Sequence, residues 1–152
     1  MARMLLQELA DASAAVAAPR PRLTKVAVLA AALRAADPAE AEVAASLLGG
    51  SLRQRRTGLG YRALQHLPAP APAPSLTVAE VDALFEELST LAGAGSQRRR
   101  AELLAHLMGR ATASEQRYLA GLVAGELRQG ALDGLLIEAV ASASGVPAAV
   151  VR

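Results

Sequence analysis

Three arginines follow a serine where a helix is predicted to begin: Ser96-Gln97-Arg98-Arg99-Arg100, preceded by Gly93-Ala94-Gly95. A helix N-terminus carries a partial positive charge, so each cation in its first turn costs about a few tenths of a kcal/mol. Folding alone does not ask for them. An anion at the free N–H groups would reverse the sign, and phosphate is the common one. The glycines would let a backbone approach closely. The alternative is a solvated basic face that tolerates the dipole.

A second set of cations comes with an internal repeat. Gly50-Ser51-Leu52-Arg53-Gln54 returns 75 residues later as Gly125-Glu126-Leu127-Arg128-Gln129. Extended backwards, Arg22–Gln54 aligns with Gln97–Gln129 without a gap, and 10 of 33 positions are identical. Three of the ten are alanine, which an Ala-rich chain gives cheaply; Leu29/Leu104, Glu40/Glu115 and Leu47/Leu122 are more telling. The repeat sets Arg20, Arg22 and Lys25 opposite the Gly95–Arg100 region, and Arg53, Arg55 and Arg56 opposite the loop of Arg128 and Gln129. Each copy thus has two basic loops. That layout suits a polyanion with near-twofold symmetry, such as duplex DNA held through its phosphates. Gln54 and Gln129 reach for sugar or base edges in that reading, or serve as local turn-capping amides.

Other chemistry has little support. His66 and His106 are isolated and read as structural or surface residues. Tyr61, Phe85 and Tyr118 read as core rather than as stacking platforms. Glu86 and Glu87 read as solvated carboxylates without a partner. The sequence has no Gly-x-Ser-x-Gly, no phosphate-binding Walker loop and no zinc spacing. With no cysteine, disulfides and Cys-based metal sites are excluded. The net charge of +2 hides an imbalance: residues 1–75 carry +4 and residues 76–152 carry −2. Apolar stretches fall short of a membrane span, and Glu8 and Asp11 interrupt any signal-peptide layout. A soluble cytoplasmic protein is the plain expectation.

The elements that hold these residues are predicted to be helices. Hydrophobic residues make up 53% of the chain but aromatics only 2%, and Ala, Leu, Arg and Glu favour helix. The fold class is all-α, with two pseudo-symmetric halves, 1–67 and 76–152, of about four helices each. Leu67–Ser75, with Pro68, Pro70, Pro72 and Pro74, is an extended linker at 68–75. In the first half, Leu5, Leu6, Leu9 and Val16 begin a helix. Arg22–Ala35 follows, with Leu23, Val26, Leu29, Ala30 and Leu33 on one face. Asp37 caps a third helix with Pro38 and Glu40 in its first turn, and Gly49-Gly50 ends it. A fourth spans about Tyr61–His66. In the second half, Thr77…Glu80 and Thr112…Glu115 fit capping boxes. Val81, Leu84, Phe85, Leu88 and Leu91 form a stripe, and Ser96 is the expected N-cap of the next helix, which runs to about Met108. Tyr118, Leu119, Leu122 and Val123 mark the helix after Thr112, and Leu132–Ala143 the last full one. Pro147 opens a pattern that stops at Arg152, as expected of part of a larger protein.

The runs Ser75–Val81, Gly93–Arg100 and Gly125–Gly130 together resemble the N-terminal DNA-binding domain of ATP-dependent DNA ligases, bacterial and actinobacterial in type. The resemblance covers nearly the whole chain. It implies an all-helical domain on the minor-groove side of nicked duplex DNA, expected to act as a monomer, away from membranes. DNA contacts are implied for Gly95, Ser96, Arg98, Arg99, Arg100, Arg53 and Arg128. The first copy departs from the family pattern, with Ala18-Pro19-Arg20-Pro21 in place of Gly-x-Gly-Ser. The family nucleophile lies in a Lys-x-Asp-Gly motif, whereas the only lysine here, Lys25, precedes Val26-Ala27-Val28. ATP and Mg2+ are implied for a full-length enzyme with catalytic domains beyond Arg152, and neither for this chain. The rival reading is a helical-repeat protein–protein scaffold.

Overall fold

The computed structural model describes residues 4–54, 57–127 and 130–145. Among them are seven α-helices and one 3-10 turn. They run α1 Leu6–Ala17, α2 Arg22–Ala35, α3 Pro38–Leu48, the 3-10 turn Tyr61–Leu64, α4 Val78–Thr90, α5 Ser96–Arg110, α6 Ala113–Ala124 and α7 Gly130–Ser144. Among the described residues the only extended pairing is an isolated bridge between Leu5 and Thr77. The all-α expectation is met. The fourth predicted helix of the first half is instead a single 3-10 turn, flanked by Gly58, Gly60 and Pro68.

Apolar spacing dictates which face of each helix is buried. Val78, Val81, Phe85 and Leu88 recur at three- and four-residue intervals on α4 and are buried, as are Leu103, Leu104, Leu107 and Met108 on α5. Each such side chain contributes about 1.5–3 kcal/mol on leaving water. The prediction for α2 needs one correction. Leu29 and Ala30 are buried, but Leu23 is 81% exposed. It lies in the first turn, beyond the reach of the packed face.

The repeat-matched residues are core residues. Leu29 and Leu104, and Leu47 and Leu122, are all buried. Glu40 and Glu115 are buried too, and each accepts a backbone N–H: Glu40 from Met4, Glu115 from Thr112 at 2.8 Å. Helix starts keep the repeat offset, since α3 begins at Pro38 and α6 at Ala113. The copies nevertheless share one core: α2 packs most extensively on α7, and α1 packs on both α2 and α6. Buried Tyr118 of α6 donates its hydroxyl to the Leu47 carbonyl of α3 at 2.6 Å.

The caps follow the sequence in part. Thr112 and Glu115 close a complete capping box. Thr77 caps α4 through the Glu80 N–H, but the Glu80 carboxylate turns to the Thr77 hydroxyl and to Arg110. Asp37 occupies the α3 N-cap without a side-chain cap bond. The Pro/Ala segment is non-helical, as its prolines require. It is also tied down: Ala71 donates to the Ala111 carbonyl at 2.8 Å, and Gln116 donates to that of Pro68 at 3.0 Å.

Candidate nucleic-acid interface

Two turns supply the predicted cations: the α4–α5 turn and the segment after α3. At the first, Gly95 rather than Ser96 is the N-cap of α5. It takes a left-handed conformation, φ 81°, and no side chain caps the helix. Ser96 becomes the first helical residue, and its N–H bonds the Gly93 carbonyl at 3.3 Å. A left-handed cap favours glycine because it has no Cβ to clash. With no side-chain oxygen in place, the helix start stays open to an external acceptor.

The three arginines there part company. Arg98 is exposed and stands 3.6 Å from Glu102. Arg99 bridges to Glu87 of α4 at 3.0 Å and to Glu102 at 3.6 Å. The hydrogen bond that Arg99 donates to Glu87, helped by the charges of Glu87 and Glu102, raises its guanidinium above its ordinary value. Arg100 turns inward. It donates to the Leu91 carbonyl at 2.7 Å and to the Ser96 hydroxyl at 3.3 Å, so it ties the end of α4 to the start of α5.

After α3, Arg53 faces Asp82 of α4 through Nε at 3.1 Å and a terminal nitrogen at 2.9 Å, with Glu86 at 3.5 Å. The Asp82 hydrogen bond and charge raise the Arg53 guanidinium. Burial alone would push the Asp82 carboxyl up, but hydrogen bonds from Arg53 and Gln54 outweigh it and hold the carboxyl below its usual range. Gln54 is buried and spends its amide on Asp82 and Glu86. It therefore behaves as a local turn amide here. Glu86 and Glu87, expected to be solvated and partnerless, are the counter-charges of Arg53 and Arg99. Sequence could not show this, because each pair joins α4 to a separate segment, the turn after α3 for Arg53 and α5 for Arg99.

The cations of the first copy are spread apart. Arg20 is exposed before α2, Arg22 bonds Glu138 of α7 at 2.7 Å, and Lys25 is half-buried beside Val16 and Leu135. Arg55, Arg56, Arg128 and Gln129 lie outside the described residues. Leu52 and Leu127 of the repeated phrase both pack against the core. Arg62, absent from the predicted set, is exposed near the α5 start and lines a groove with Arg100. The signal for it was Gly58-Leu59-Gly60, a flexible approach just ahead of a cation.

Among the described residues no three His, Asp or Glu are grouped to hold a metal ion, and Lys25 stands among apolar side chains. Among the described residues, no helix is long and apolar enough to cross a membrane.

The fold and these surfaces define an all-helical domain with arginines set at turns and helix starts. Residues 61–141 match the family model described as DNA ligase N terminus. The chain belongs to that family. It is 59% identical to a "Probable DNA ligase" of Kineococcus radiotolerans, over 98% of this chain and 30% of that protein. It is 52% identical to a "Probable DNA ligase" of Nocardioides sp., again over 98% and 30%. It is 50% identical to "DNA ligase B" of Mycobacterium tuberculosis, with the same coverage. The chain thus spans about 30% of the length of these curated relatives.

Proposed function

We propose that this chain grips nicked duplex DNA, without reading sequence, as the DNA-binding part of an ATP-dependent ligase that seals nicks in repair and replication. The observation that carries the reading is the α5 start: an uncapped helix N-terminus, closed by a left-handed glycine, with Arg98 and Arg99 exposed beside it. Phosphate is the ligand such a feature recognises. The ion pair of Arg99 with Glu87 is a surface pair of small net worth, so a phosphate can displace that carboxylate at little cost. ATP and Mg2+ act on other domains of the full-length enzyme, and the work is done at the bacterial chromosome. A gel shift comparing nicked, intact and single-stranded DNA tests this. Binding of both duplexes is expected; absence of any duplex shift would overturn the proposal.

One observation favours a second reading, docking of a protein segment. An apolar groove of about 620 Å³ lies between α2, α3 and α7, lined by Leu33, Ala36, Pro38, Ala45 and Val140 among others. The same gel shift separates the two, since a scaffold alone would leave DNA unshifted.

A further inference from the structure

Two arginines and an imidazole meet in a groove whose lining contains no carboxylate. The segment from Gly58 to Pro68 runs along α5 and encloses about 440 Å³, lined in part by Gly58, Arg62, His66, Gln97 and Arg100. Arg22, Arg53, Arg98, Arg99 and Arg110 each face a glutamate or aspartate. Among the described residues, Arg20, Arg34, Arg62, Arg100 and Arg117 have no carboxylate at ion-pair distance, and only Arg62 and Arg100 of these share one groove.

Arg100 is fixed and partly desolvated. The Leu91 carbonyl and Ser96 hydroxyl hold its two terminal nitrogens, and its buried Nε has no acceptor. Gly58 covers it so closely that a Cβ there would stand 2.2 Å from Nε. A guanidinium held without a counter-charge beside a low-dielectric wall concentrates positive potential in the adjoining groove. Arg62, His66 and Gln97 are exposed in the lining and add N–H donors. Donors plus uncompensated positive charge are the chemistry that recognises phosphate.

We propose that this groove seats a phosphate group. Its source is either the backbone of a DNA duplex, in which case the inference rests on the function proposed above, or a free phosphate, in which case it does not. Backbone amide NMR on the 152-residue chain distinguishes them, with inorganic phosphate in one titration and a nicked duplex in another. Phosphate is expected to shift the amides of residues 58–66 and 97–105, and Arg62→Ala with His66→Ala should weaken that response several-fold. Both substitutions fall on exposed residues, and the remaining amide spectrum reports whether the fold survives. Gln97→Glu, which puts a carboxylate into the groove, should remove the response and serves if the double variant misfolds. Shifts with phosphate and duplex alike support a DNA-backbone seat. Shifts with phosphate alone support a free-phosphate seat and remove the groove from the DNA interface. Duplex-induced groove shifts that Gln97→Glu abolishes also support it. Groove amides that move with neither ligand overturn the proposal. A duplex that fails to bind anywhere refutes the DNA reading, and the phosphate titration still decides the groove.

Discussion

Arg53 and Asp82 are joined fork to fork, with Nε at 3.1 Å from one carboxylate oxygen and a terminal nitrogen at 2.9 Å from the other. The pair fastens the turn after α3 to the middle of α4, and Gln54 reinforces it from beneath. It leaves part of the guanidinium facing solvent, since the Arg53 side chain is 43% exposed.

Asp82 makes stability depend on acid. Its folded pKa is lowered: burial acts upward, and the Arg53 and Gln54 hydrogen bonds outweigh it. A depressed carboxyl contributes fully above the unfolded value of about 4 and loses its contribution as pH falls through the folded value. Asp82→Asn should therefore flatten the loss of stability below about pH 4 and lower Tm at neutral pH by about 2–4 °C. Circular dichroism melts at stepped pH check both.

Tyr118 titrates in the opposite sense. Burial raises its phenol above the ordinary tyrosine value. A raised folded pKa means that its contribution is complete below about pH 10 and is lost as pH climbs beyond it, because the unfolded chain ionises first. Tyr118→Phe removes one of two bonds to the buried Leu47 carbonyl, which keeps the Gly50 N–H at 3.0 Å. A loss of about 1–2 kcal/mol in denaturant unfolding is expected, together with a weaker alkaline decline.

Arg98 and Arg100 at the α5 start should separate by phenotype. Arg100→Ala removes the tie to the Leu91 carbonyl and should cost about 1–2 kcal/mol of stability. Arg98→Ala should change stability by less than about 0.5 kcal/mol and weaken duplex binding. Urea unfolding beside a binding titration reads both.

Carboxylates of α4 compete with DNA in this account. Glu87→Gln frees Arg99 from its 3.0 Å partner. Duplex affinity should rise several-fold, and the salt dependence should steepen by about one released ion. Anisotropy titrations of parent and variant at three salt concentrations measure this; equal or weaker binding by the variant would count against it.

Legibility from sequence followed the range of each interaction. Local signals worked: the Thr112…Glu115 box and the Val78, Val81, Phe85, Leu88 stripe are set by neighbours within one or two turns. The α5 start was found because three cations at a helix N-terminus oppose the dipole. Its cap was misassigned to Ser96 because a left-handed glycine can replace a side-chain cap, and composition does not say which is used. Leu23 looked like core because periodicity marks a face and not where packing on that face begins. The partners of Arg53 and Arg99 lie 29 and 12 residues away, so no spacing rule exposes them. The role of Glu40 and Glu115 was half visible: the repeat flagged them, and only the structure shows both buried on backbone N–H groups.

Binding carried by phosphate contacts must weaken steeply as salt rises. The 152-residue chain is titrated against a labelled nicked duplex by fluorescence anisotropy from about 50 to 200 mM salt, the range over which phosphate-dominated binding collapses. With roughly five phosphate contacts, the logarithm of the binding constant should fall linearly with the logarithm of salt, and affinity should drop at least tenfold. Binding that stays flat across the range, or no binding at the lowest salt, would contradict the account.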